Sequence, residues 1–196
     1  DRIVELDERE GIARVEPGVR LGALQARCAE RGLLFPPDPA SAKDCSVGGA
    51  VATCAGGLRG AKYGTMKHYV LGLTVVLPTG DVIRTGARTR KCVTGYDLTS
   101  LFVGSEGTLG VFTEATLRLV PAPEAAATLV AWYDDDAAAA RGVGAALDVR
   151  VVARALEFVD ARALAAVAAH VGRPAWARRA LLLVECDGAA EAVRRE

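Results

Sequence analysis

Histidine is nearly missing from this sequence: His68 and His170 are the only two, and they lie far apart. That spacing argues against a histidine-built metal cage inside the chain. Cysteine is sparse and poorly placed for pairing. Cys28, Cys45, Cys54, Cys92 and Cys186 are odd in number, scattered, and form no C-x-x-C. A disulfide framework or zinc site is therefore not expected, and free thiols in a reducing compartment are. Charge of one sign is missing too, since 24 Lys+Arg balance 24 Asp+Glu without a basic stripe. Nothing calls for nucleic acid or an anionic membrane surface as partner. No apolar run reaches the roughly 18 residues of a transmembrane segment. Asp1-Arg2-Ile3-Val4-Glu5 is charged and strand-like rather than a secretory leader.

What is present is a chain able to build a core. Hydrophobic residues make up 51% of its 196 positions, which suits an ordered domain plus part of another. Residues 2–6 and 12–15 read as short strands around a charged turn. Leu21, Leu24 and Cys28 recur at helical spacing, with Gly32 placed to end the helix. Residues 33–39 are a proline-rich loop. Residues 70–77 and 82–85 flank Pro78-Thr79-Gly80-Asp81 as a hairpin. Asp97 is placed to cap a short helix over 97–102. Residues 109–120 are β-rich and stop at Pro121-Ala122-Pro123, taken as a domain boundary. Beyond it come a strand over 125–132, a helix opened by Asp134-Asp135-Asp136 and running through Leu147, a helix over 161–170 and a strand over 180–186. The aspartates favour a helix start, because anions suit the helix N-terminus and three consecutive carboxylates cannot all face one ion. Residues 187–196 begin a helix with nothing to pack on. Both ends read as cut, so a fragment of a longer protein is expected.

Several motifs fail. Gly104, Gly107 and Gly110 recur every three residues without forming G-x-G-x-x-G, and no Gly-Lys-Ser/Thr follows a glycine loop. Gly104-Ser105-Glu106-Gly107 is not a nucleophile elbow, and neither Ser105 nor Cys54 has a base nearby in sequence. What remains is glycine itself. Gly48, Gly49, Gly56, Gly57, Gly60 and Gly64 fall within Cys45–Gly64. Ser46-Val47-Gly48-Gly49 leading into Ala50-Val51-Ala52 offers bare backbone and then a possible helix N-terminus, a form suited to a pyrophosphate. The alternative from pattern alone is a tight glycine-rich crossover between strands.

Longer ordered matches go further. Asp38-Pro39-Ala40-Ser41, Cys45-Ser46-Val47-Gly48-Gly49-Ala50-Val51-Ala52, Ala55-Gly56-Gly57 and Lys62-Tyr63-Gly64 are followed by Thr94-Gly95-Tyr96-Asp97-Leu98 and residues 101–111. Together these resemble the FAD-linked oxidases of the vanillyl-alcohol-oxidase type. The likeness is strongest to glycolate oxidase FAD subunits and to D-lactate and D-2-hydroxyglutarate dehydrogenases. It covers residues 15–123 well and the remainder weakly. The resemblance implies an α+β fold: the second, mainly antiparallel sheet subdomain of a PCMH-type FAD-binding domain over 1–123, its N-terminal part absent, then the beginning of an α+β cap domain over 124–196.

The resemblance also implies FAD as cofactor, with contacts at Pro39, Ser46, Gly48, Gly49, Ala52, Thr53, Cys54, Gly57, Tyr63, Gly64, Glu106, Gly110 and Val111. Relatives often carry Glu-Asn where this chain has Thr53-Cys54, so Cys54 would replace any flavin contact that the Asn side chain makes. It implies oxidation of a 2-hydroxy acid by hydride transfer to flavin, with electrons passed to a separate acceptor such as an Fe–S partner. A cytoplasmic protein is expected, with any membrane association coming through a partner. The alternatives are a non-catalytic flavin-binding subunit of a larger complex, or a flavin enzyme without net redox, as in ether-lipid synthesis. The family's catalytic base, its His-rich metal site and another pyrophosphate loop are expected outside these residues. Individual residues keep two readings. Tyr63 stacks beside the cofactor or is a half-buried loop tyrosine. Glu106 bonds a ribose or amide, or caps a turn. His68 is structural or an acid–base group. Arg90 and Lys91 attract an anionic substrate or are solvated charges. Trp132 and Trp176 read as core or interface aromatics.

Overall fold

The computed structural model describes residues 1–89, 91–176 and 179–195; Arg90 and the final residue of the helix expected over 187–196 lie outside the described residues. The chain forms two compact units, Asp1–Ala122 and Pro123–Glu196. The first is built on a five-stranded antiparallel sheet. Its strands are β1 (Ile3–Asp7), β2 (Ile12–Val15), β4 (Val70–Val76), β5 (Val82–Gly86) and β6 (Val111–Arg118), in the order β1-β2-β6-β4-β5. The β1–β2 turn closes because the Asp7 carboxylate accepts the Glu10 N–H at 2.9 Å. A residue pair missed in sequence opens the proline-rich stretch: β3 (Leu33–Leu34) pairs with β7 (Val120–Pro121). A proline is tolerated there because this two-residue ladder has no neighbour on the proline side.

The sheet's inner face carries Ala13, Val15, Leu73, Val75, Ala115 and Leu117, all buried. Against them pack α1 (Leu21–Ala29) and α2 (Val47–Ala52), through Leu21, Leu24, Cys28, Val47, Ala50 and Val51. The helical spacing of Leu21, Leu24 and Cys28 thus becomes a buried stripe. Burial pushes the Cys28 thiol up to about 11, which keeps it protonated and inert. α3 (Gly60–Tyr63) and a 3₁₀ turn (Met66–His68) lead into β4, and Asp97 caps α4 (Leu98–Phe102) by accepting the Ser100 N–H at 2.9 Å.

The outer face is polar. Arg14 bridges Glu5 (3.3 Å) and Glu114 (2.9 Å), and Arg88 reaches Glu5 (2.6 Å), Asp7 (3.4 Å) and Glu10 (3.1 Å). These cross-strand pairs hold β1 to β2 and β6 and tie the loop after β5 across the sheet.

The second unit has a three-stranded antiparallel sheet in the order β8-β10-β9. In chain order its elements are β8 (Ala125–Tyr133), α5 (Asp136–Asp148), β9 (Ala155–Val159), α6 (Ala161–His170), β10 (Ala180–Gly188) and α7 (Ala190–Val193). Asp135 and Asp160 cap α5 and α6 through the N–H groups of Ala138 (2.6 Å) and Ala163 (2.7 Å). The aspartate triplet is therefore a helix start. Trp132 and Trp176 pair with ring centroids 5.6 Å apart. Two expectations change. β9 was not foreseen; its register is held by Arg154, which bridges Glu185 (2.7 Å) and Asp187 (3.2 Å) of β10. The last helix also has something to pack on, because α7 lies against β8 and β10.

Two outcomes test this account. Leu24 is fully buried, so Leu24→Ala should cost about 2–5 kcal/mol in a denaturant titration, transfer and cavity effects combined. Hydrogen bonds from Arg88 hold the Glu5 carboxyl at about 2, and those from Arg2 hold Glu16 at about 2, against an ordinary 4.5. The folded state then binds fewer protons than the unfolded one. Their contribution is complete above the ordinary value and is lost as pH falls toward the folded one. Unfolding midpoints measured from about pH 5 to about pH 2 should fall, and Glu5→Gln/Glu16→Gln should flatten that slope.

Candidate functional site

The site begins at α2. Ser46 accepts the Gly49 N–H on its hydroxyl at 3.1 Å, so the serine is an N-cap. The other donors there are also committed: Val47 N–H goes to the Val19 carbonyl and Gly48 N–H to the Pro17 carbonyl, both at 2.8 Å. This corrects the expectation that the bare backbone of Ser46–Gly49 is laid out for a pyrophosphate. Gly48 is glycine because a Cβ would come within 2.5 Å of the Pro17 ring. The close approach there is by protein.

At the other end of α2 the chain runs through Ala52, Thr53, Cys54 and Ala55. Cys54 takes a left-handed conformation (φ 50°), with its sulfur 3.4 Å from the Thr65 hydroxyl. The second glycine-rich block docks here. Gly104 N–H donates to the Val51 carbonyl (3.0 Å) and Glu106 N–H to the Ala52 carbonyl (2.9 Å). To reach both acceptors the loop passes through positive φ at Gly104 (87°), Glu106 (52°) and Gly107 (79°). Two segments some fifty residues apart in sequence thereby form one surface. Gly49, Thr53, Glu106 and Gly107 are exposed on it, and Ala52 and Cys54 are half-buried. Beside it the Ser105 hydroxyl is buried without a hydrogen-bond partner among the described residues.

The remaining candidates join through intermediaries. Asp38, preceding Pro39, donates its N–H to the Gly56 carbonyl (3.0 Å) and bridges Gly57. At Gly57 (φ 121°) a Cβ would collide with the Asp38 carbonyl. Pro39 lines an open cavity of about 520 Å³ with Gln25, Asp38, Lys43 and Leu58. Tyr63 is half-buried; its carbonyl accepts the Tyr69 hydroxyl at 2.8 Å, and Lys62 Nζ lies 5.5 Å from its ring centroid. Gly64 (φ 78°) packs on His68, whose Nδ1 accepts the Thr65 N–H at 3.0 Å. His68 thus holds the turn that carries Thr65 toward Cys54. Gly110 and Val111 stand apart at the head of β6. Gly110 packs on Val75 and Val76, and Val111 is 67% exposed. Lys91 is exposed. Sequence reasoning missed Thr65 and Arg59, which pairs with the motif residue Asp38 (3.4 Å); neither Thr65 nor Arg59 belongs to a motif, and only the fold shows their contacts.

A surface of small side chains and backbone that also carries an exposed carboxylate, Glu106, suits the ring part of a nucleotide cofactor. Residues 1–86 match the FAD binding domain family, and residues 122–196 match the C-terminal domain of FAD linked oxidases. The chain belongs to the FAD-linked oxidases. Its cofactor is FAD, and its relatives are FAD-dependent oxidoreductases. The glycolate oxidase subunit GlcD of Bacillus subtilis is 46% identical over 198 residues, covering 100% of this chain and 42% of that protein. The D-lactate dehydrogenase of Anaerostipes hadrus is 36% identical over 198 residues, covering 97% and 42%. The chain thus spans about two fifths of the length of these curated relatives. A solved alkyldihydroxyacetonephosphate synthase superimposes over 100% of this chain and 38% of its own with a TM-score of 0.80; at 22% identity, that likeness speaks to fold. Among the described residues no helix is long and apolar enough to cross a membrane.

The left-handed backbone at Cys54 yields a test. Asparagine tolerates this region better than cysteine, so Cys54→Asn should stabilise the FAD-linked oxidase chain by roughly 0.5–1 kcal/mol. Urea unfolding of both proteins measures it, and an unchanged or lower midpoint contradicts the strain at position 54.

Proposed function

We propose that the protein to which this chain belongs oxidises a 2-hydroxy acid of the glycolate or D-lactate type and passes the electrons to a separate acceptor. The observation that carries this reading is the docking of Gly104–Gly107 onto the end of α2. It builds a cradle from the two blocks that resemble glycolate oxidase subunits and D-lactate dehydrogenases. The names of the two relatives described above point to the same substrate class. In this reading residues 1–123 are part of the FAD-binding domain and residues 124–196 the beginning of the cap domain.

Within the cradle each residue has a physical task. Ser46 and Gly48 fix the direction of α2, and Gly49, Ala52 and Thr53 present a flat face with little side chain. Cys54, just after α2, and Glu106, in the loop that docks on its end, border that face, and the Glu106 carboxylate accepts hydrogen bonds from a ribose or ring amide. Gly57 and Gly64 allow Pro39 and Tyr63 to close the ends. Gly110 lets the chain pass close to Val75 and Val76 into β6, where the exposed Val111 is the more distant contact. Bound FAD would supply the two-electron acceptor that a 2-hydroxy acid needs to become a 2-oxo acid. The catalytic base, a metal site and the pyrophosphate loop are assigned to parts of the protein beyond this chain. An Fe–S or similar electron-transfer partner and a cytoplasmic location complete the proposal.

The complete protein should purify yellow, and anaerobic D-lactate or glycolate should bleach its flavin absorbance. A flavin-free complete protein overturns the cofactor assignment of the cradle. Flavin that no 2-hydroxy acid bleaches overturns the activity in favour of a non-catalytic flavin-binding subunit.

A further inference from the structure

On the outer face of the five-stranded sheet lies a cavity of about 400 Å³ that shares no residue with the flavin cradle. Its floor is apolar: Ile12, 4% exposed and outside the inner core, and Leu71. Its walls are Arg88, Thr89 and Arg118, with Glu10 at the rim.

The two arginines differ in state. Arg88 is committed to Glu5, Asp7 and Glu10, and among the described residues Glu10 is the one carboxylate of the lining. Arg118 stands directly across from Ile12 in the β2–β6 ladder. Among the described residues no carboxylate lies within ion-pair distance of its guanidinium, and its Nε is buried without a hydrogen-bond partner. The guanidinium is held 5.5 Å from the Tyr69 ring centroid, and Tyr69 is itself fixed by its hydroxyl bond to the Tyr63 carbonyl. A guanidinium that is positioned, partly desolvated and unpaired attracts a planar anion, because a carboxylate satisfies two of its donors at once. The nearby carboxylates do not compete, since each is engaged by Arg88 or Arg14.

We propose that this cavity binds a small carboxylate with an apolar tail: its oxygens on the Arg118 guanidinium, its tail over Ile12 and Leu71. The site is separate from the redox reading and stands without it.

The test uses the isotope-labelled full chain, isocaproate as probe, and its neutral amide as control, followed by heteronuclear NMR. The Arg118 Nε–H signal and the backbone amides of Leu71 and Thr89 should shift saturably with isocaproate and not with the amide. Arg118→Gln should remove the Leu71 and Thr89 shifts. Thr89 is exposed, so Thr89→Asp keeps the fold and Arg118 while placing a like charge on the rim; it should weaken binding about tenfold or more. Non-saturating shifts, equal shifts with the amide, or unchanged affinity in Thr89→Asp overturn the proposal. None of these readouts depends on flavin.

Discussion

Two backbone hydrogen bonds hold the site together: Gly104 N–H to the Val51 carbonyl, and Glu106 N–H to the Ala52 carbonyl. A helix leaves its last carbonyls without partners, and α2 has only six residues. So short a helix does not persist on its own. Its first turn is satisfied by Ser46, Pro17 and Val19, and its last by the loop from residue 104 to 107. The loop can do this because glycine at 104 and 107 adopts a left-handed backbone without steric cost. Glu106 and Cys54 share that conformation without being glycine. Strain of this kind persists only where the surroundings impose it, and here it borders the proposed flavin face.

The sheet divides its labour by face. The inner face supplies the apolar packing that fixes α1 and α2, and hence the cradle. The outer face is a ladder of arginines and carboxylates across β1, β2, β6 and the loop after β5. Arg88 holds the Glu5 carboxyl below its ordinary range, so what the pair contributes is lost in acid, and the same contacts fix Arg88 as a wall. Arg118 belongs to this face and takes no part in its network. The same alternation that buries Leu117 beside it turns the Arg118 side chain outward over Ile12.

Much of the architecture was legible because it rests on local signals. Leu21, Leu24 and Cys28 announce a helix, Pro78–Asp81 a hairpin, and Asp97 and the aspartates before α5 their caps. β9 was not legible. Its residues Ala155-Leu156-Glu157-Phe158-Val159 show no clear alternation, and a partner ladder with β10 decides their state. The glycines of the site were seen, but their reason was misread in part. Gly48, Gly57, Gly64 and Gly110 are small because Pro17, Asp38, His68 and Val75 press on them, whereas Gly49 and Gly107 face open space apart from the Ser46 hydroxyl.

By itself the sequence determined the class of chain, most of its longer strands and helices, and the family resemblance, because long ordered motifs and short-range periodicity are properties of neighbours in sequence. Only the tertiary structure decided which backbone donors are committed, which glycines face protein, and that Thr65 meets Cys54 while Arg118 meets no carboxylate among the described residues. Hydrogen bonds and ion pairs between distant segments depend on distances of a few ångströms, and those exist only once the core has placed the segments side by side.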